Sequence, residues 1–252
     1  MARTYVVTGA GSGIGAATAR HLRERGARVI ACDLREGDVV ADLATPAGRA
    51  SLVEGVARLA DGRIDAVVAN AGGGPPETSL ALNFFGAVAT LEGLRPLMAD
   101  SAAPRAVAVS SIASLSPPDP AVASACQALD EPSAVAAAAG ADGLALYSNA
   151  KHALNAWCRR AASTPQWAGA GIALNVVGLG FFDTPAAAYI LSNPDLSARA
   201  AAMTPMRGAF PGRPEQAAAA LAWCVSPENS MMTGQVLFVD GGAECLMRGG
   251  KS

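Results

Sequence analysis

The sequence predicts an α/β fold: a single doubly wound domain in which a parallel sheet of about seven strands carries helices on both faces. Three observations lead there. Short runs rich in Val, Ile and Ala alternate with longer helix-favouring stretches along the 252 residues, the pattern of repeated βαβ units. Several runs are apolar at nearly every position rather than at every second one, as strands covered on both sides require. The first strand leads into a glycine-rich turn that opens a helix, the arrangement of Rossmann-type sheets.

The strands expected are, in order, "YVVTGA" (5–10), "RVIACD" (28–33), "DVVADL" (38–43), "IDAVVANAG" (64–72), "RAVAVSS" (105–111), "IALNVVG" (172–178) and "GQVLFVDGG" (234–242). The Ala-rich patches "AVAAAAGA" (134–141) and "QAAAALAW" (216–223) favour helix rather than disordered low complexity. One segment breaks the rhythm: residues 115–144, with a Pro-rich entry, two short helical patches and a Gly-containing exit, read as an insertion into a single domain spanning 1–252.

Composition narrows the function classes. With 51% hydrophobic and 16% charged residues the chain has ample core, and a net charge of -2 leaves no basic field for nucleic acid. No apolar run of about 18 residues free of Gly, Pro and charge offers a membrane span, and the N-terminus carries no apolar signal core, so the expectation is a cytoplasmic protein. Five cysteines (Cys32, Cys126, Cys158, Cys224, Cys245) form no C-x-x-C pair; they read as reduced core residues, with no metal site. His21 and His152 read as surface or packing residues.

The stretch "ALYSNAKHAL" (145–154) places Tyr147 and Lys151 four residues apart, on one helix face. Of the 19 basic residues only Lys151 and Lys251 are lysine, so the body of the chain uses lysine once. That position asks for what Arg lacks, a compact charge with rotatable donors. An ammonium roughly 4–5 Å from a phenol, at an effective dielectric of about 20, favours the phenolate by about 3–4 kcal/mol, so the expected effect is a lowered Tyr147 pKa. Tyr147 is thereby a candidate proton donor and acceptor.

The turn "TGAGSGIGAAT" carries glycines at 9, 11, 13 and 15, which let a backbone approach a pyrophosphate seated on helix N–H groups. Asp33, at the end of the second strand, stands where a carboxylate accepts hydrogen bonds from ribose hydroxyls and repels a 2′-phosphate. Ser12 adds no positive charge, and Arg35 is the one nearby basic residue. The cofactor expected is NAD.

With "TGAGSGIG" (8–15), "DL" (42–43), "NAG" (70–72), "LNFFGA" (82–87), "SS" (110–111), "YSNAK" (147–151), "DTP" (183–185) and "VDGG" (239–242) in this order, the chain resembles the short-chain dehydrogenase/reductase family over essentially its whole length. The insertion, together with "DLREGDVVADLATPAGR" (33–49), looks most like the 3α-hydroxysteroid dehydrogenase/carbonyl reductase branch. The resemblance implies that Ser111 holds the substrate oxygen, that Asn83 anchors a water chain to the Lys–Tyr pair, and that Lys151 bonds the nicotinamide ribose. It implies dinucleotide contacts at Gly9, Ser12, Gly13, Ile14 and Gly15, at Asp33 and Leu34, and at Asp42 and Leu43 around the adenine. Asn70, Ala71 and Gly72 would hold the sheet beside the cofactor, and Gly180, Phe182 and Thr184 would face the nicotinamide.

The family's Pro-Gly is here Leu179-Gly180, from which a less rigid nicotinamide loop is expected. The implied activity is interconversion of a hydrophobic secondary alcohol and its ketone, because Phe181, Phe182, Tyr189, Met203, Met206 and Phe210 dominate the substrate loop. The alternatives are a nonenzymatic dinucleotide-binding module, which would show a damaged Ser-Tyr-Lys set, and an acyl-carrier ketoreductase, which would want NADPH and a basic docking patch. A homo-oligomer is expected, with dimer favoured over tetramer because the insertion precedes the Tyr147 helix; a substrate lid is the competing role for it.

Overall fold

In the computed structural model, which describes residues 2–249, seven parallel strands form one sheet in the order β3-β2-β1-β4-β5-β6-β7. They are β1 (Thr4–Thr8), β2 (Arg28–Asp33), β3 (Val39–Val40), β4 (Ala66–Ala69), β5 (Arg105–Ser111), β6 (Ala173–Leu179) and β7 (Val236–Val239). Every expected strand is present. β3 is the shortest because the chain turns out of the sheet at Asp42, whose Oδ1 accepts from the Ala44 N–H at 2.9 Å.

The double apolar character of the strands has a direct structural counterpart. Successive residues of β1 point to opposite faces, so Val6 joins one core with Ile30, Val67 and Ala106. Tyr5 and Val7 join the other with Val29, Val68 and Val107. Over the second core lie α1 (Gly13–Glu24) and α9 (Pro214–Cys224), through Ala19, Leu22, Ala217 and Leu221. Over the first lie α2 (Pro46–Leu59), α3 (Ala87–Leu94) and α6 (Gly143–Ala162), through Leu52, Val56, Leu91 and Leu154.

The insertion holds two helices, α4 (Pro120–Gln127) and α5 (Glu131–Ala137). Their starts are written locally: Asp119 accepts from the Ala121 and Val122 N–H groups, Asp130 from that of Ser133, and a proline follows each within the first turn. Val122, Cys126, Ala134 and Ala138 are buried in the first core, so the insertion is continuous with the body. Asn149 of α6 ties down its entry, accepting from the Asp119 N–H at 2.8 Å. The remaining helices are α7 (Ala188–Ser192), α8 (Pro194–Ala202) and α10 (Ala243–Arg248), near the carboxyl end of the sheet.

Four of the five cysteines are buried and Cys245 is exposed. Among the described residues no helix is long and apolar enough to cross a membrane, and no group of three or more His, Cys, Asp or Glu could hold a metal ion.

Candidate active site

Strand order reverses at β1, with β2 on one side and β4 on the other, and it is beyond the strand ends at such a point that open α/β sheets bind ligands. Thr8 and Asn70 brace these strand ends. The Thr8 hydroxyl accepts from the Asn70 and Ala71 N–H groups at 3.0 Å each, while Asn70 Nδ2 donates to the Thr8 carbonyl at 3.0 Å. The turn above requires glycine at position 15: a Cβ there would stand 1.9 Å from the Gly9 carbonyl oxygen and 2.6 Å from Asn70 Nδ2. Gly9 itself has φ +67, a conformation that L side chains rarely adopt.

The turn feeds the N-terminus of α1, where the N-cap Ser12 makes no side-chain bond to the helix. Asp33 closes the rim from β2. Its Oδ2 accepts from the Gly11 N–H at 3.0 Å and its Oδ1 from that of Arg35 at 3.2 Å, and a Cβ on Gly11 would lie 2.9 Å from its carboxyl carbon. Across the mouth, a Cβ on Gly13 would be 3.2 Å from Thr184 Cγ2, so the 183–185 loop stands against the first turn of α1. These residues fit a dinucleotide: a glycine cradle on a helix N-terminus for the pyrophosphate and a carboxylate for the ribose.

The structure divides the remaining expected contacts. Asp42 and Leu34 are exposed at the rim, and Ile14 is half-buried against the second core. Leu43 and Phe182 are each only 6% exposed. Leu43 packs on Gly86, and Phe182 lies under Gly212, where a Cβ would come within 2.8 Å of its ring. Their side chains serve the core, while Asp42 is exposed and Thr184 half-buried beside them. Gly180 donates to the Val239 carbonyl at 3.1 Å and sits against the Asp240 backbone, with Leu179 buried beside it. The loop expected to be loose for want of proline is therefore held by β7.

The chemistry-bearing side chains gather at the ends of β4 and β5. Ser110 is 1% exposed and turned toward the Lys151 carbonyl, whereas Ser111, one residue on, faces Tyr147. Tyr147 and Lys151 share a face of α6, with Nζ 5.5 Å from the centre of the phenol ring. Lys151 is 3% exposed, and its Nζ donates to the Val109 carbonyl at 2.9 Å. Asn83 is fully buried in a π-helical turn, Ala81–Gly86, inside the helix that continues as α3. Its Oδ1 accepts from the Gly73 N–H at 3.0 Å, and its Nδ2 donates to the carbonyls of Gly73 (3.0 Å) and Ser79 (2.9 Å). Gly72 lies between them: a Cβ there would be 2.8 Å from Asn83 Oδ1 and 3.3 Å from Lys151 Nζ.

Burial sets the titration. It pushes the Lys151 amine down to about 8. It raises the Tyr147 phenol, with a smaller opposing pull from the Ser111 hydrogen bond. The spacing argument predicts the reverse direction for Tyr147. The reason for the difference is geometric: Nζ lies 5.5 Å from the ring centre, bonded to a backbone carbonyl, and burial of the phenol dominates, opposed only by the Ser111 hydrogen bond.

A family described as enoyl-(acyl carrier protein) reductase matches residues 9–244. The chain belongs to the short-chain dehydrogenase/reductase family. It is 32% identical to 3-alpha-hydroxysteroid dehydrogenase/carbonyl reductase of Comamonas testosteroni, covering 96% of this chain and 97% of that protein. With cis-4-hydroxycyclohexanecarboxylate dehydrogenase of Sinomonas cyclohexanicum it shares 35% identity, over 95% and 96% of the two chains. The crystal structure of 3-alpha-hydroxysteroid dehydrogenase from Pseudomonas sp. B-0831, complexed with NADH, superposes with a TM-score of 0.90 at 34% identity, covering 99% and 100% of the chains.

As a short-chain dehydrogenase/reductase the protein is an oxidoreductase, and the site contains supports that motif matching does not single out. Thr8 is one; its signal is the threonine that opens "TGAGSGIG". Ser114 is another. Its hydroxyl donates to the Ser111 carbonyl at 2.6 Å and accepts from Asn155 Nδ2 at 2.9 Å, while its carbonyl meets His152 Nδ1 at 3.1 Å. No sequence motif marks that brace on Ser111.

The lysine carries a stability consequence. Its folded pKa lies below the ordinary 10.5, so the folded state disfavours the ammonium. Below pH 8 both folded and unfolded states are protonated and the full penalty, about 3 kcal/mol, opposes folding. The penalty fades as pH rises from 8 to 10.5 and only the unfolded chain keeps the proton. Lys151→Met is therefore expected to unfold at higher urea than the wild type at pH 7, with the difference shrinking toward pH 10.5. A variant less stable at pH 7 would contradict the assignment.

Proposed function

We propose that the protein is an NAD(H)-dependent oxidoreductase interconverting a hydrophobic secondary alcohol and its ketone, of the steroid or aryl/cyclic type. The observation that carries the reading is the meeting of Lys151 and Asn83 at Gly72, with Tyr147 beside Lys151 and Ser111 bonded to Tyr147, together with a glycine turn rimmed by Asp33. The dinucleotide, when bound, supplies or accepts the hydride. Gly9 to Gly15 and the start of α1 hold its pyrophosphate, Asp33 its adenosine ribose, and Thr184 its carboxamide.

The chain's own residues handle the proton. Tyr147 stays protonated at neutral pH because burial raises its pKa, so it can donate to the developing alkoxide of a ketone and retrieve the proton in the oxidative direction. Ser111 donates to the same oxygen and orients it. Lys151, brought to about 8, exchanges protons near neutral pH, and Asn83 fixes the backbone at Gly73. Hydrophobic substrates are favoured by what flanks the mouth: Phe181 and Phe210 stack edge to face at 6.2 Å, and Tyr189 (75%) and Met206 (59%) are exposed. A cavity of about 60 Å³ lies among Phe181, Met206, Ala209 and Val239. The nonenzymatic reading has no support in a site whose Ser-Tyr-Lys set is complete. For assembly we propose a homodimer, consistent with the exposed Leu129, Val135 and Leu144 on and beside the insertion.

Three outcomes are expected. Stopped-assay comparison of a 3-ketosteroid or cyclic ketone with NADH and NADPH should give strong preference for NADH, narrowed in Asp33→Ala because the like-charge rejection of a 2′-phosphate is gone; equal use of both by the wild type would defeat the cofactor assignment. Tyr147→Phe should leave NADH affinity near normal and cut turnover by about 10²–10⁴-fold, and Lys151→Arg should fail too, since Arg neither fits a slot bonded to one carbonyl nor loses its proton. Light scattering should return the mass of two chains, and a tetramer would contradict the assembly.

A further inference from the structure

Arg49, in the first turn of α2, is nearly buried, with 11% of its side chain exposed, and its guanidinium is satisfied on three sides. Nε donates to the Leu43 carbonyl at 2.9 Å, and Nη2 donates to the Ala81 carbonyl at 2.8 Å. Both terminal nitrogens grip the Glu131 carboxylate, at 2.5 and 2.8 Å, and the Phe85 ring centre lies 6.0 Å from Cζ.

The three partners come from three parts of the chain. Leu43 follows Asp42 at the rim beyond β3. Ala81 opens the π turn in which Asn83 sits. Glu131 opens α5 of the insertion, 82 residues away in sequence. A planar fork with five donors can serve all three at once, which a lysine could not. A π turn holds together less well than a regular helix, and the Ala81 carbonyl is where this one is gripped from outside. Two residues on, Asn83 fixes both the N–H and the carbonyl of Gly73.

We propose that Arg49, clamped by Glu131, is a positioning residue through which the insertion holds the Asn83 turn and the Asp42–Leu43 rim in register. The insertion is then a support for the site. Removing the carboxylate leaves a buried guanidinium short of its counter-charge, which moves toward water and loosens its grip on Ala81 and Leu43. The consequences for turnover rest on the oxidoreductase reading given above; the consequence for Gly73 does not.

The test uses full-length Glu131→Gln, which keeps the shape and removes the charge, and Arg49→Lys, which keeps the charge and removes the fork. In the protein without added cofactor, amide exchange at Gly73 should accelerate about tenfold in both variants, with α9 amides unchanged. With NADH and a ketone, kcat should fall about tenfold and the NADH dissociation constant should rise, while KM for the ketone stays within about twofold. Unchanged exchange at Gly73 alongside a lowered melting temperature would overturn the proposal and leave the pair a simple staple, as would unchanged kcat in a variant with faster exchange. A wild type that neither binds NADH nor turns over would defeat the oxidoreductase reading instead, and exchange at Gly73 would still decide this one.

Discussion

A single amine taken out of water organises the site. Lys151 is 3% exposed and has one carbonyl, that of Val109, within bonding distance. A guanidinium in the same place would stay charged at any accessible pH, whereas an amine can give up its proton, and burial brings that event to about pH 8. The same burial raises the phenol above it. The two neighbours therefore titrate in the opposite order from the one their spacing implies, the amine before the phenol, and at neutral pH the phenol is in its acid form. Environments that push adjacent groups apart in this way define which one donates. The destabilisation that a buried amine brings is set against a core on both faces of a seven-stranded sheet.

The glycines impose the second constraint, on distance rather than charge. Gly15 against the Gly9 carbonyl, Gly11 against the Asp33 carboxyl and Gly72 between Asn83 and Lys151 are each places where a methyl group would collide. The first two bring backbone to where the pyrophosphate and ribose of the proposed dinucleotide would lie. The third joins that cradle to the proton-handling side chains, since the strand-end residues Asn70 to Gly72 run from the Thr8 brace directly to Lys151. The proposed cofactor site and proton site thus stand at two ends of one three-residue segment.

Much of this is legible in the sequence, and for a physical reason: β-strand burial, glycine turns and helix starts are local. Seven apolar runs become seven strands, and Asp119, Asp130 and Asp142 each cap a helix where the sequence places an acidic residue ahead of one. Strand alternation turns Ser111 toward Tyr147 and Ser110 toward the Lys151 backbone. What spacing does not reveal is desolvation, so the direction of the Tyr147 shift is lost. It also does not reveal which side chains a rim loop turns inward, as with Leu43 and Phe182. Least legible are contacts between residues far apart that belong to no motif. Arg49 and Glu131 are ordinary in sequence, and only folding brings the insertion onto the turn that holds Asn83.

The titration of Lys151 tests the account most directly, and the composition makes it accessible. With only two lysines in the chain, selective isotopic labelling of lysine gives two side-chain signals, and Lys151→Met assigns them. A midpoint near pH 8 is expected for the signal that Lys151→Met removes. A midpoint for that signal near the ordinary 10.5 would contradict the burial of the amine, because Lys151 would then be solvated and charged, and the order of proton release on which the site depends would be lost.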